Sequence, residues 1–379
     1  MSAILIGRTS HDEQVRRLLT ENAPAAEIVS VYATVPAEPA AALGLPGRLE
    51  KLVRTAAEYP VDPGTVADVR DLAEQAAGHL GRGVALFAAR RTGLAEWVLL
   101  PEPAPDWAVA GTRPALRPLL AILERHPSCC VAVVDSARAR ICLLEDGRVR
   151  EVAAVVDEAL RKRNYGGWYG LAERRARARA EGLRARHYQH VAAELEHVMG
   201  DTVGALVIGG HGHDIPGVAE ALPRALRGRL AGTFTAEPGT LTPAGVVEPA
   251  RRVLARWVTE RLERLTADVL GEAAAGDRAL TGLDACVAAA GAKAAALLLV
   301  SDTDRAPGTQ CRGCGALEAG GRIACSRCGE KTRPVPDILD EAVAAVTAAG
   351  GEVAVVPARL LGGAAMAARL RAPAPQIVR

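Results

Sequence analysis

Four cysteines stand as Cys311-x2-Cys314-x10-Cys325-x2-Cys328 inside the glycine-rich stretch CRGCGALEAGGRIACSRCGE. Each CxxC turns two thiolates towards one point, and the glycines after Cys314 and Cys328 permit the tight turn that lets backbone amides face sulfur. Two such pairs at this separation predict a tetrahedral Zn2+ site. Four protein ligands leave no open position, so the expected zinc is structural and staples a loop rather than catalysing. A redox dithiol pair or an emptied relic are the other readings. Cys129, Cys130, Cys142 and Cys286 lie in apolar patterns and read as ordinary buried thiols.

A second group of residues suits polyanion contact. Residues 161 to 190, RKRNYGGWYGLAERRARARAEGLRARHYQH, carry eight Arg and one Lys against Glu173 and Glu181. With a chain net charge of +2, this stretch is about +7 and the remainder about −5. The charge is therefore a local footprint of the kind RNA-binding surfaces show. Arginine is common throughout, with 42 Arg to 4 Lys, as a GC-rich genome would give, but an even spread puts only about three or four in such a window. Tyr165, Trp168, Tyr169 and Tyr188 fall in the same window, and planar rings beside arginine suit base stacking. The candidate RNA- or ribosome-binding residues are Gly166, Gly167 and Trp168 at a glycine tip, with Arg161, Lys162, Arg163, Arg174, Arg175, Arg177, Arg179, Arg184 and Arg186. The competing reading is a solvated charged helix.

Two further patterns invite catalytic readings. Asp135 ends an apolar strand, where nucleases of the ribonuclease-H-like fold keep a metal carboxylate, and Asp157, Glu158 and Asp214 are possible companions. One aspartate is not a two-metal site, and aspartate at a strand end is ordinarily a turn residue. Gly209-Gly210-His211-Gly212-His213-Asp214 offers metal ligands or a phosphate-binding turn. It reads more simply as a strand-to-helix turn with Asp214 capping the helix that holds Pro216. No residue is assigned a catalytic role, and whether the chain is an enzyme stays open, leaning against one.

At 379 residues the chain calls for two or three domains. The first residues, MSAILIGRTSHDE, are too short an apolar run for a signal peptide, and no segment has about 20 uncharged apolar residues. A soluble, cytoplasmic, membrane-free and monomeric protein is expected. Residues 1–120 read as a mixed α/β domain, with strands at Ile28 to Thr34, Val84 to Ala89 and Trp97 to Leu100, and helices at Gly47 to Glu58 and Pro63 to Leu80. The proline-dense residues 101 to 114 read as a linker or surface loop.

Residues 121–270 form the expected central domain. Its strands are joined by an Asp146-Gly147 hairpin turn. A helix over Leu171 to Val198 follows, polar nearly all round in front, with a Val191, Leu195 and Val198 stripe behind. That is the pattern of an arm rooted at its C-terminal end. ALVIGG at 205 to 210 reads as a buried strand, and Thr242 to Leu270 as a long helix. Residues 271–379 read as an α/β/α domain with the cysteine insertion at 308–332. Its helices fall at Thr281 to Ala290, Asp337 to Ala349 and Leu360 to Arg371, and its strands at Ala295 to Val300 and Glu352 to Val356.

These features in this order resemble the archaeal and eukaryotic class-I peptide chain release factor and Pelota superfamily, in its divergent bacterial branch, which includes Balon-type hibernation factors. The resemblance covers roughly residues 28 to 371 and is strongest from 129 onwards. Third-domain residues that carry it are Ser301-Asp302 after a strand, the four cysteines, and Gly362-Gly363. It implies an α/β, three-domain protein whose middle domain is a ribonuclease-H-like mixed sheet with a projecting basic arm. Release factors of the superfamily hold Gly-Gly-Gln at the arm's tip, and the matching residues here are Gly166-Gly167-Trp168. The glutamine helps place a water at the peptidyl-tRNA ester. Tryptophan has no carboxamide to do so, although its indole N–H donates and its ring stacks. Neither stop-codon-reading pattern, Asn-Ile-Lys-Ser or Tyr-x-Cys-x-x-x-Phe, occurs in the first domain. The resemblance therefore implies a factor that occupies the A site of idle or stalled ribosomes, in hibernation or rescue. Its expected partners are ribosomal RNA, P-site tRNA, and elongation factor Tu or another translational GTPase. A release factor that hydrolyses peptidyl-tRNA, and a metal-dependent RNA nuclease, are the alternatives.

Overall fold

The computed structural model describes residues 11–23, 27–56, 61–145, 147–158, 170–200 and 203–372. Their packing divides into two compact units, one made of His11–Arg125 with Glu260–Arg379 and the other of His126–Thr259. Among the described residues no helix is long and apolar enough to cross a membrane.

The first unit begins with α1 (Asp12–Thr20), β1 (Ile28–Thr34), α2 (Pro39–Ala42), α3 (Leu45–Ala56), α4 (Pro63–Ala76), β2 (Gly83–Ala89), β3 (Leu94–Leu100), β4 (Trp107–Gly111) and α5 (Arg117–Arg125). The four strands form an antiparallel sheet in the order β3-β2-β1-β4. β1 and β2 are the inner strands and are buried almost throughout, because both sheet faces are covered. Alternate residues divide between the faces as the strand period of two requires. Val29, Val31, Leu86 and Ala88 join the cluster with α3 and α4, while Ile28, Tyr32, Phe87 and Ala89 face α5. Residues 101 to 114 are not a free linker. Trp107 to Gly111 pair with β1, and the prolines stay outside the paired stretch, at 101, 103, 105 and 114.

The second unit contains β5 (Cys129–Val134), β6 (Arg138–Glu145), β7 (Arg148–Val156), α6 (Gly170–Met199), β8 (Ala205–Gly210), α7 (Ile215–Ala221), α8 (Arg224–Arg227), β9 (Leu230–Thr235) and the start of α9 (Pro243–Ala274). Its mixed sheet runs β7-β6-β5-β8-β9, with β7, β6 and β5 antiparallel and β5, β8 and β9 parallel. Glu145 pairs with Arg148 across the hairpin, and Gly147 takes φ 70°, the left-handed conformation expected of glycine in such a turn. Cys130, Ala132, Leu206 and Ile208 face α6 and α7, while Cys129, Val131, Ala205 and Val207 face Val246, Ala250 and Val253 of α9. Gly209 fits because an added Cβ would lie 2.3 Å from the Phe234 ring on the next strand.

The first unit resumes with β10 (Ala279–Thr281), α10 (Leu283–Gly291), β11 (Ala295–Ser301), β12 (Gly308–Cys311), β13 (Leu317–Ala319), β14 (Thr332–Val335), α11 (Ile338–Ala348), β15 (Glu352–Val356) and β16 (Met366–Leu370). A four-stranded sheet runs β10-β16-β11-β15, and β13-β12-β14 form a small separate sheet in the cysteine insertion. The segment expected to be a closing helix at Leu360 to Arg371 is instead a short 3-10 turn, Ala358–Leu361, followed by β16. Gly362 and Gly363 adopt φ 60° and 93° and end the turn, and β16 then pairs on both sides, with β10 and β11. Two ladders outweigh the helical preference of an alanine-rich run.

Candidate nucleic-acid interface and cysteine centre

Alternating Ala and Arg make the front of α6 a good helix former, but its like charges gain little from one another, so tertiary contacts must hold it. Arg174, Arg175, Arg177, Arg179 and Arg186 are exposed, and Arg184 is half-buried. The back of the helix carries the opposite pattern. Tyr188, Val191, Ala192, Leu195 and Met199 are buried in the core built on β5 and β8. Val191 and Leu195 thus seat the expected stripe, and Val198 packs at its margin. Arg161, Lys162, Arg163, Gly166, Gly167 and Trp168 lie outside the described residues.

Polar contacts fix the helix where its basic and apolar halves meet. Asp157, just past β7, holds its Oδ2 2.7 Å from His187 Nδ1 and its Oδ1 2.9 Å from His190 Nδ1. The hydrogen bond from His187, then that from His190, pulls the Asp157 carboxyl below its ordinary pKa. One residue on, the Tyr188 hydroxyl donates to Asp214 Oδ1 at 2.5 Å. Burial, then the bond to Asp214, pushes that phenol well above its usual range. Gly217 makes room for the ring, since a Cβ there would meet Tyr188 Cε2 at 2.5 Å. Tyr188 is therefore not available to stack on a base. Asp214 does not cap α7 through its side chain either, because the carboxylate is buried and turned to Tyr188. Only the His-x-x-His spacing hinted at this anchor, since its carboxylates come from remote loops.

The residues that invited catalytic readings have other partners. Asp135 Oδ1 accepts from the backbone N–H groups of Ala137 and Arg138, both at 2.8 Å, which closes the turn into β6. His211 and His213 stack with ring centroids 5.4 Å apart and planes 4° apart. Their Nε2 atoms lie 3.5 Å from Glu237 and 3.4 Å from Asp214, so the two imidazoles address different carboxylates.

Among the described residues, the Cys311, Cys314, Cys325 and Cys328 thiols form the group placed to hold a metal ion, with all four Sγ atoms within 4.8 Å of one another. Cys311 Sγ lies 3.4 Å from Cys328 Sγ, and Cys314 Sγ lies 3.7 Å from Cys325 Sγ. Tetrahedral ligation at about 2.3 Å per Zn–S bond needs sulfurs about 3.8 Å apart, so the donor set fits zinc with slight expansion. The Cys314 N–H points at Cys311 Sγ from 3.4 Å and brings that thiol down to about 6, favouring the ligating thiolate. The Arg327 N–H also faces a sulfur, Cys325 Sγ, at 3.4 Å. Cys129, Cys130, Cys142 and Cys286 are buried, and burial raises their thiol pKa values, leaving them inert.

Residues 114–262 match the sequence profile of bacterial archaeo-eukaryotic release factor family 10. The match covers that segment of the chain, which is similar there to this family. The matched segment holds all of α6 and its anchors, while the cysteine centre lies beyond it. No curated protein matches the chain. Among solved structures, the chain is similar to the archaeal translation termination factor aRF1, at 16% identity over 95% of this chain and 96% of that one, with a TM-score of 0.27. It is similar to Dom34 of S. cerevisiae at 10% identity over 99% and 96%, with a TM-score of 0.44. A ribosome-bound archaeal Pelota shares 14% identity over 97% and 96%, with a TM-score of 0.42. That Pelota is described together with ABCE1, and that Dom34 as interacting with Hbs1.

Proposed function

We propose that this chain is a release-factor-like translation factor that binds the ribosome and occupies the A site of idle or stalled particles, in hibernation or rescue, without cutting peptidyl-tRNA. The observation that carries the reading is the division of α6 into an exposed arginine half and a buried, hydrogen-bonded root. A helix so built presents fixed cations to RNA phosphates while its base stays in the fold. The order β7-β6-β5-β8-β9 supports a ribonuclease-H-like frame for the domain that carries this arm. Trp168 in place of the release glutamine removes the group that would position water at the ester. Zn2+ on the four cysteines plays a structural part, and a translational GTPase such as elongation factor Tu is the candidate delivery partner. The chain acts in the cytoplasm as a monomer, in three domains at 1–120, 121–270 and 271–379.

The reading is tested with 70S ribosomes carrying peptidyl-tRNA in the P site. Saturating protein should exclude aminoacyl-tRNA from the A site and release no peptide above the spontaneous rate. Peptide release that disappears in Gly167→Ala would instead favour the hydrolytic alternative. Undisturbed A-site binding would remove the proposal.

A further inference from the structure

A cavity of about 310 Å³ opens in the first unit between the β1-to-α5 region and the loops after β11 and before α11. Its apolar side includes Tyr32, Trp107 and Ile122, and its polar side Arg117, Asp302, Arg305, Asp337 and Asp340. The size is at the lower end of ordinary small-ligand sites. None of these groups belongs to α6 or to the cysteine centre.

The polar side has a definite hydrogen-bonding sense. Arg117 is 4% exposed, and four of its five N–H donors are engaged. Nε meets Asp340 Oδ1 at 2.8 Å, Nη1 meets the Ser301 and Asp304 carbonyls at 3.0 and 2.5 Å, and Nη2 pairs with Asp337. Asp302 Oδ1 accepts from the Ala358 N–H at 3.1 Å, and its Oδ2 has no partner among the described residues. The carboxylates of Asp302, Asp337 and Asp340 thus make the wall mainly an acceptor surface. Arg117 faces two carboxylates, and Arg305 is the second cation that acts on them. Burial, then repulsion from Asp340, raises Asp337 to about 6. A ligand for this wall must be a donor. A ligand for the apolar side must be flat, and the structure already supplies a sample: the exposed Arg305 guanidinium lies over the Trp107 ring, Cζ 4.3 Å from its centroid.

We propose that this cavity binds a free guanine nucleotide, the base stacking on Trp107 in the place Arg305 takes and its N1–H and N2–H2 edge donating to the carboxylate wall. Guanine presents two adjacent donors on one planar edge, whereas adenine presents a donor beside an acceptor. An acceptor on that edge would meet the Asp302 carboxylate unfavourably. Arg305, displaced from the ring, remains near the cavity mouth as a phosphate partner.

Isothermal titration of the full chain, without ribosomes, tests the assignment separately from the ribosome-binding reading. The wild type should bind GMP saturably, with AMP at least about tenfold weaker, because the wrong edge leaves a buried acceptor unpaired. Asp302→Asn keeps an oxygen for the Ala358 N–H but adds a donor, and should weaken GMP about tenfold or more. Arg305→Ala, an exposed change, should tighten guanosine about threefold by clearing the ring, while weakening GMP relative to guanosine. Equal binding of GMP and AMP, L-arginine binding in preference to GMP, or no heat with GMP at 1 mM (roughly the weakest affinity a built pocket would have) would each overturn the proposal. Circular dichroism confirms that both variants are folded.

Discussion

Arg117 is the group on which the first unit's polar interior depends most. Replacing it with Met keeps an apolar stem but leaves Asp337 and Asp340 without their cation and the Ser301 and Asp304 carbonyls without their donor. Breaking a buried pair by removing one partner costs about 3–5 kcal/mol. For a unit of this size, where 1 kcal/mol is worth roughly 2–4 °C, the expected fall in Tm is about 6–20 °C. The loss should also depend on pH. Asp337 ordinarily titrates near 3.8 and is raised to about 6 in the folded chain. A carboxyl that binds its proton more tightly when folded contributes stability below about pH 4, and that contribution is lost as pH rises to 6. Without Arg117 the carboxyl is still harder to ionise, so the variant's deficit should be larger at pH 7.5 than at pH 5. Calorimetry at the two pH values measures it. A Tm within about 2 °C of wild type at pH 7.5, or a deficit that grows on acidification, would refute the reasoning.

Other predictions concern the second unit and the cysteines. Tyr188→Phe strands Asp214 Oδ1, already buried, and should cost about 1–3 kcal/mol, read as faster amide exchange at the root of α6. Protein purified under reducing conditions should contain one zinc per chain by elemental analysis, and Cys328→Ser should lose it. Chelation should speed amide exchange in β12, β13 and β14 while leaving the second unit unchanged.

The parts of this architecture legible in the sequence were those set by local spacing. β8 falls on its expected six residues, and α6 follows its arginine-to-apolar pattern. The cysteines announce their cluster by spacing alone. β4 was hidden by prolines that in fact flank the strand, and β16 by an alanine-rich composition that long-range pairing overrides. The anchors of α6 and the Arg117 network of the first unit were illegible for a different reason. His187 and Asp157 are 30 residues apart, and Arg117 and Asp337 are 220 apart. No periodicity links such pairs, and only the folded sheets bring them within a hydrogen bond.

The most direct measurement of the central claim is the salt dependence of 70S binding for the wild type and for a chain with Arg174, Arg175 and Arg177 changed to Glu. Each phosphate contact contributes a slope of about 0.7–0.9 in log K against log salt, which at 0.15 M is a factor of roughly 4–5. Loss of three contacts should flatten the slope by about 2–3 and weaken binding about 100-fold or more. The account predicts that outcome, with the variant's fold intact. Equal affinity and equal slope in the two proteins would contradict it.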